Sequence, residues 1–133
     1  MQTPIMERVN AIPLLITLDI RCTEIGSDFC RMEVTVAEKH LNFYGGAHGG
    51  LLATLVDTVC FFAEPLLPAG RTLTTSQLTV NYLRPAALGD HLIAEAKILH
   101  LGRRTVHVDV TVRNQHDALV VHGTGSLLEV SPA

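Results

Sequence analysis

The sequence predicts an α+β fold, in which an antiparallel sheet of five to six strands wraps around one long central helix. Three features predict it. Residues 49–63 are almost wholly apolar on every side of a helix, four long strand-like segments follow in succession, and the links between those strands are short. A helix without a polar stripe has no face to turn to solvent. A flat sheet covers only one side of such a helix, so the sheet has to curve around it. Short links favour antiparallel neighbours, because a parallel return needs a long crossover.

Taken in order, Met6 to Ile12 follows Pro4 and predicts a short helix. In Leu14 to Ile25 the side chains of Leu14, Ile16, Leu18 and Ile20 share one face of an expected strand. Ile25-Gly26-Ser27-Asp28 has hairpin chemistry. Arg31 to Ala37 then alternates cleanly, with Met32, Val34 and Val36 on one side and Arg31, Glu33 and Thr35 on the other. Lys39 to Ala47 reads as a loop with Gly45-Gly46 as its flexible part. His48-Gly49-Gly50 opens the apolar helix, expected to run about four turns and to stop at Pro65. The four strands come next. They are Thr72 to Leu83, closed by Pro85; His91 to Leu101; Arg104 to Arg113, where Val106, Val108, Val110 and Val112 alternate without a break; and Leu119 to Val130. Nothing reads as a linker, repeat or low-complexity stretch, so one domain over residues 1–133 is expected.

Composition narrows the function classes. Of the 133 residues, 47% are hydrophobic and 17% charged, and the net charge is −3, so no strong field draws nucleic acid or an anionic membrane. Trp is absent, which also weakens base stacking as a mode of recognition. Cys22, Cys30 and Cys60 are odd in number and share no metal or redox spacing; they read as free thiols in a reducing compartment. Met1 to Ile20 lacks the continuous apolar core of a signal peptide. Gly49 to Ala63 is shorter than the ~20 residues that span a bilayer, and Asp57 sits at its middle. The expectation is a soluble, cytoplasmic protein with no nucleic-acid or membrane partner, no metal and no cofactor.

Asp57 is the most informative residue, because an ionised carboxylate among apolar neighbours has to find partners, shift its pKa or open onto a cavity. It reads either as a structural carboxylate capping a nearby loop or as a general base or nucleophile. Gly49 and Gly50 weaken the helix start, so something should compensate for them. Either the helix start packs tightly against a strand, or the bare backbone meets a ligand whose oxygen gains negative charge. Gly49 and Asp57 lie eight residues apart, from 49 to 57, which is roughly 12 Å along a helix. One helix does not bring both to a single carbonyl carbon, so a shared reaction requires at least two copies of the chain. Asn42 in the loop and Thr74-Thr75-Ser76 on the following strand are candidates to orient water or a carbonyl, against local turn bonding and solvent exposure. Arg84, Arg103 and Arg104 lie at strand ends, where they suit phosphate groups or are simply solvated. His107, Asp109 and His122 approach one another on neighbouring strands, but no ligand spacing supports a metal there. Cys60 reads as an inert core thiol.

Asn42 to Gly50 (Asn-Phe-Tyr-Gly-Gly-Ala-His-Gly-Gly), with Asp57-Thr58, resembles the hotdog-fold thioesterases of the PaaI-like group. Asn81-Tyr82-Leu83-Arg84-Pro85-Ala86, Gly89 and Leu101-Gly102-Arg103-Arg104 extend the likeness, which covers about Leu14 to Leu128. The resemblance implies hydrolysis of acyl-CoA thioesters in sites between subunits. It also implies homodimers that join their sheets edge to edge, and dimers of dimers. By the same resemblance Asp57 is the general base or nucleophile, and the Gly49 N–H binds the thioester carbonyl. Asn42 orients substrate or water, and Thr75 holds the attacking water, with Thr74 and Ser76 as the alternatives. His48 shapes the loop and carbonyl site. Apart from the resemblance, Gly50 and the positions of Arg84, Arg103 and Arg104 make them the expected substrate-binding residues, the arginines toward the nucleotide phosphates of CoA.

Leu52, Val56, Cys60 and Phe61 are the expected lining of the acyl pocket, for a small-to-medium aliphatic or aryl group. Two alternatives differ in class. A non-catalytic acyl-CoA-binding regulator should lack part of this residue set. A hotdog hydratase or dehydratase needs a His paired with the carboxylate.

Overall fold

The computed structural model describes residues 4–67 and 71–130. Two short helices, α1 (Ile5–Asn10) and α2 (Pro13–Leu18), lead into a hairpin of β1 (Arg21–Ile25) and β2 (Phe29–Thr35). A loop with one 3-10 turn at Glu38–His40 leads to α3 (Gly49–Val59). A second 3-10 turn at Glu64–Leu66 precedes β3 (Leu73–Tyr82), β4 (His91–Leu101), β5 (Thr105–Arg113) and β6 (Leu119–Glu129). The six strands form one antiparallel sheet in the order β1-β2-β4-β5-β6-β3. α3 packs on its inner face and touches β2, β3, β4, β5 and β6. This is the hotdog arrangement, with six strands around one helix.

The alternating strands behave as their pattern requires. Met32 and Val34 on β2, Leu92, Ala94 and Ala96 on β4, and Val106, Val108, Val110 and Val112 on β5 are all buried under α3. On α3 itself Leu51, Leu52, Leu55, Val56 and Val59 are buried. Two glycines of β6 set how close helix and sheet come. A Cβ on Gly125 would lie 2.7 Å from Cys60 Sγ, and one on Gly123 would lie 2.9 Å from Val56 Cγ1 and 2.6 Å from the Thr79 carbonyl oxygen. Bare glycines two apart on one strand therefore form the seat into which Val56 and Cys60 fit.

The N-terminal region departs from the sequence expectation. Leu14 to Leu18 belongs to a helix, and the strand begins only at Arg21. Pro13 takes the first helical position, where its missing N–H has no partner to lose. The helix closes on Asp19 in the left-handed conformation (φ 56°), with Ile20 N–H donating to Leu15 O at 2.9 Å and Asp19 N–H to Ile16 O at 3.2 Å. Leu15 and Ile20 are buried across this closure, whereas Leu14 and Ile16 are about half exposed. The alternating apolar residues are thus a helical turn with a single buried anchor.

α3 is also shorter than expected. Its 11 residues make about three turns. It ends where Cys60 and Phe61 turn their N–H groups to the carbonyls three residues back, at 3.2 and 3.4 Å. The chain is then drawn sideways by a bond from Glu64 N–H to Gly26 O in the β1–β2 turn (3.0 Å), before Pro65 is reached.

Gly125→Ala and Gly123→Ala should each destabilise the fold by about 1–3 kcal/mol, as forced overpacking of a core does. Gly123→Ala should cost more, since its obstacle is backbone. Urea unfolding of the three proteins checks both the loss and its order.

Candidate active site

The start of α3 is built around one uncommitted donor. His48 is the N-cap, and its Nδ1 accepts the Gly50 N–H at 2.8 Å. That bond leaves the imidazole proton on Nε2. The Leu51 and Leu52 N–H groups both point to His48 O, at 3.0 and 3.4 Å. Among the described residues the Gly49 N–H has no acceptor, so it is the open donor at the positive end of the helix. Tyr82, the last residue of β3, donates its hydroxyl to Gly49 O at 2.8 Å.

Asn42 ties the loop before the helix. Its Oδ1 accepts from Tyr44 N–H (2.8 Å) and Gly46 N–H (3.1 Å), which is local turn bonding. A pocket of about 340 Å³ brings together Asn42, Gly49, Leu52, Tyr82 and Arg84. His48 and Gly50 line a separate hollow of about 230 Å³ with Leu18, Lys39 and Thr54.

Asp57 lies two turns further along α3, on its half-buried side with Ala53, Thr54 and Thr58. Thr75 donates its hydroxyl to Asp57 Oδ1 at 2.6 Å. Among the described residues Oδ2 has no protein partner. Thr74 and Ser76 are exposed, and Ser76 Oγ instead donates to Ser126 O at 3.0 Å. The pairing of β3 with β6 shifts register between Thr75 and Gln77. Such a bulge re-aims neighbouring side chains.

The chain therefore holds two separate clusters of candidate residues. Gly49, Asn42 and Arg84 surround the helix start, and Asp57 and Thr75 lie at the other end of β3. Arg103 and Arg104 occupy the β4–β5 turn, at the Thr75 end of the sheet, because Leu127 pairs with both Thr75 and Val106. Val56 and Cys60, expected in the acyl pocket, are buried against Gly123 and Gly125. Burial, with the Asp57 charge adding to it, pushes the Cys60 thiol up to about 12, so it stays protonated and unreactive.

On the outer face of the sheet, His122 Nε2 pairs with Asp109 Oδ1 at 2.8 Å and His107 Nδ1 with Ser126 Oγ at 2.9 Å. Among the described residues no three His, Cys, Asp or Glu side chains are placed to hold a metal ion. No described helix is long and apolar enough to cross a membrane.

Three residues escaped the sequence reading of the site. Tyr82 entered only as part of a family-like run, because its place beside the helix start depends on how β3 packs against α3. Buried His40 accepts Ala37 N–H (2.9 Å) and bonds Leu18 O (2.7 Å), and its backbone oxygen accepts His48 N–H (2.8 Å); nothing in its local sequence marks it. Gly123 had its signal in the Gly-Thr-Gly spacing of β6.

The Thioesterase superfamily model matches residues 44–121, more than half of the chain. The chain belongs to the thioesterase superfamily. Within it this thioesterase is similar to the acyl-coenzyme A thioesterase PaaI of Escherichia coli, with 33% identity over 103 residues, 77% of this chain and 72% of the relative. The solved structure of E. coli PaaI matches with a TM-score of 0.86 at 27% identity, covering 96% of this chain and 91% of the other. The structure of smu.793 from Streptococcus mutans bound to acetyl CoA matches with a TM-score of 0.77 at 32% identity, covering 84% and 89%. The thioesterase is thus a PaaI-like hotdog thioester hydrolase.

Cys60 also gives the thioesterase a pH signature. Its thiol is raised from 9.0 to about 12 in the fold, so above about pH 9 the unfolded chain binds fewer protons than the folded one. Stability from this group is fully present below pH 9 and is lost as pH rises toward 12. Cys60→Ala should flatten that decline relative to wild type, as measured by urea unfolding at pH 8, 9 and 10.

Proposed function

We propose that the protein hydrolyses a small-to-medium aliphatic or aryl acyl-CoA to the free acid and CoA, in two sites shared between the subunits of a homodimer. The observation that carries this reading is the pairing of a Thr75-held Asp57 carboxylate with an unpaired Gly49 N–H on the same helix. Similarity to an acyl-CoA thioesterase, and to a structure bound to acetyl CoA, supports the choice of carrier.

The two half-sites of one chain face different ends of β3, and β3 itself supports pairing. Among the described residues it bonds only to β6, and its ten residues, Leu73 to Tyr82, include no charge and no proline. An edge strand this long and undefended is a template for another strand. A two-fold axis near Leu78 and Thr79 would bring Thr75 of one copy opposite Tyr82 of the other. Asp57 of one subunit then approaches Gly49 of its partner. The same operation brings Arg84 toward the partner's Arg103 and Arg104, a cationic rim suited to the nucleotide phosphates of CoA. Dimers of this kind pair further into a dimer of dimers.

In the reaction, the Gly49 N–H holds the thioester oxygen as negative charge develops on it. Asp57 takes a proton from water while the water oxygen attacks the carbonyl carbon. The C–S bond then breaks, and the proton passes to the departing CoA thiolate. Alternatively the carboxylate attacks directly, the C–S bond breaks to release CoA thiolate, and water hydrolyses the resulting anhydride, a water proton ending on the thiolate. Thr75 orients Asp57 in both routes and holds the water. Asn42 and His48 keep the loop and helix start in place, with the Gly50 backbone beside the substrate. The three free thiols fit a reducing compartment, and the cytoplasm is the proposed location.

Thiol release from a panel of aliphatic and aryl acyl-CoAs tests the reading. Asp57→Asn should lower kcat by roughly 10²–10⁴-fold, the range for a positioned acid–base group, with the oligomer intact. Equal turnover would make Asp57 structural, and acyl-CoA binding without any release by wild type would point to a regulator. Replacing Arg84, Arg103 or Arg104 by Ala should raise KM more than it lowers kcat, as loss of uniform binding does.

A further inference from the structure

The helix start contains a peptide plane gripped from two sides. The Gly49 carbonyl and the Gly50 N–H belong to one rigid peptide unit. Tyr82 donates its hydroxyl to that carbonyl at 2.8 Å, and His48 Nδ1 accepts that N–H at 2.8 Å. The two side chains come from different elements, the end of β3 and the cap of α3. The Tyr82 ring also lies against Gly49, whose absent Cβ would sit 3.4 Å from the hydroxyl oxygen and 3.5 Å from the ring carbon that bears it.

Two successive glycines have the widest backbone freedom of any dipeptide, and no side chain of their own restrains them. The preceding peptide is anchored, because His48 O accepts Leu51 and Leu52 N–H. With the following plane also held, the φ and ψ of Gly49 have nowhere to go, and the direction of the free Gly49 N–H is fixed. Tyr82 lines the same pocket as Gly49, so the clamp sits beside the donor that it aims.

We propose that Tyr82 is a positioning residue for thioester hydrolysis: through the Gly49–Gly50 peptide, its hydroxyl aims the Gly49 N–H at the carbonyl oxygen of the substrate. This rests on the thioesterase reading of Gly49. Tyr82 makes no contact with the reacting atoms in this role. Its loss should therefore leave KM unchanged and lower kcat by about tenfold, less than the roughly 10²–10³-fold that follows outright removal of such a donor.

The test compares wild type with Tyr82→Phe, which keeps the ring and removes only the hydroxyl. Kinetics use the acyl-CoA that wild type hydrolyses fastest, and amide hydrogen exchange is followed at Gly50. The expected result is a lower kcat, the same KM, faster Gly50 exchange, and an unchanged Tm and oligomeric state. His48→Ala combined with Tyr82→Phe should lose less than the product of the single losses, because both grip one plane. An unchanged kcat, a loss confined to KM, a loss explained by a lower Tm, or losses that multiply would overturn the proposal. Failure of the thioesterase reading looks different, with no thiol released by wild type. Gly50 exchange then still decides the clamp, since equal exchange in wild type and Tyr82→Phe overturns it.

Discussion

The close seating of α3 on the inner face of the sheet is the contact on which the remaining structure depends. An apolar helix gains stability by removing its surface from water, about 25 cal/mol for each Å² buried, and a well-filled interface also recovers dispersion contacts. Gly123 and Gly125 let Val56 and Cys60 descend to β6, while Leu51, Leu52, Leu55 and Val59 meet the curved strands beside them. The depth of that seat sets where the polar side of the helix ends up. With Val56 and Cys60 turned into the sheet, Ala53, Asp57 and Thr58 are left on the half-buried side, where the Thr75 hydroxyl reaches the carboxylate.

The same seating separates the two chemical ends of the helix. The free Gly49 N–H is at one terminus and Asp57 is two turns away, each meeting a different end of β3 through Tyr82 and Thr75. β3 therefore meets both clusters while remaining one of the two edges of the sheet, β1 being the other. On the proposed pairing of two copies along this strand, assembly and activity are linked. The absence of charge and proline along it is consistent with an edge meant to be covered.

Much of this was legible in the residues. The alternation in β2 and β5, the apolar helix with one carboxylate, and the short strand connections each follow from side-chain periodicity, which is a local property. Leu14 to Ile20 misled because alternate apolar residues over a few positions are compatible with a strand or with a single helical turn. Pro13, the left-handed Asp19 and the burial of Leu15 decided for the helix. The helix end was misplaced for a different reason. Pro65 is a real breaker, but the bond from Glu64 to Gly26 joins residues 38 positions apart, from 26 to 64, and turns the chain before the proline acts. Val56 and Cys60 were expected in a pocket because their size and polarity suit one; their direction depended on glycines on another strand.

By itself, the sequence determined the fold class, the order of the six strands and the central helix along the chain and the identity of the exceptional carboxylate, because periodicity and the cost of burying charge act within a few residues. The tertiary structure alone decided which hydroxyl meets Asp57, that Gly49 keeps its N–H free while Gly50 does not, and that Tyr82 grips the peptide between them. Those outcomes depend on the crossing of α3 over β3 and on a bulge in that strand. Distances of a few tenths of an ångström across elements far apart in the chain are set by packing, and no local pattern encodes them.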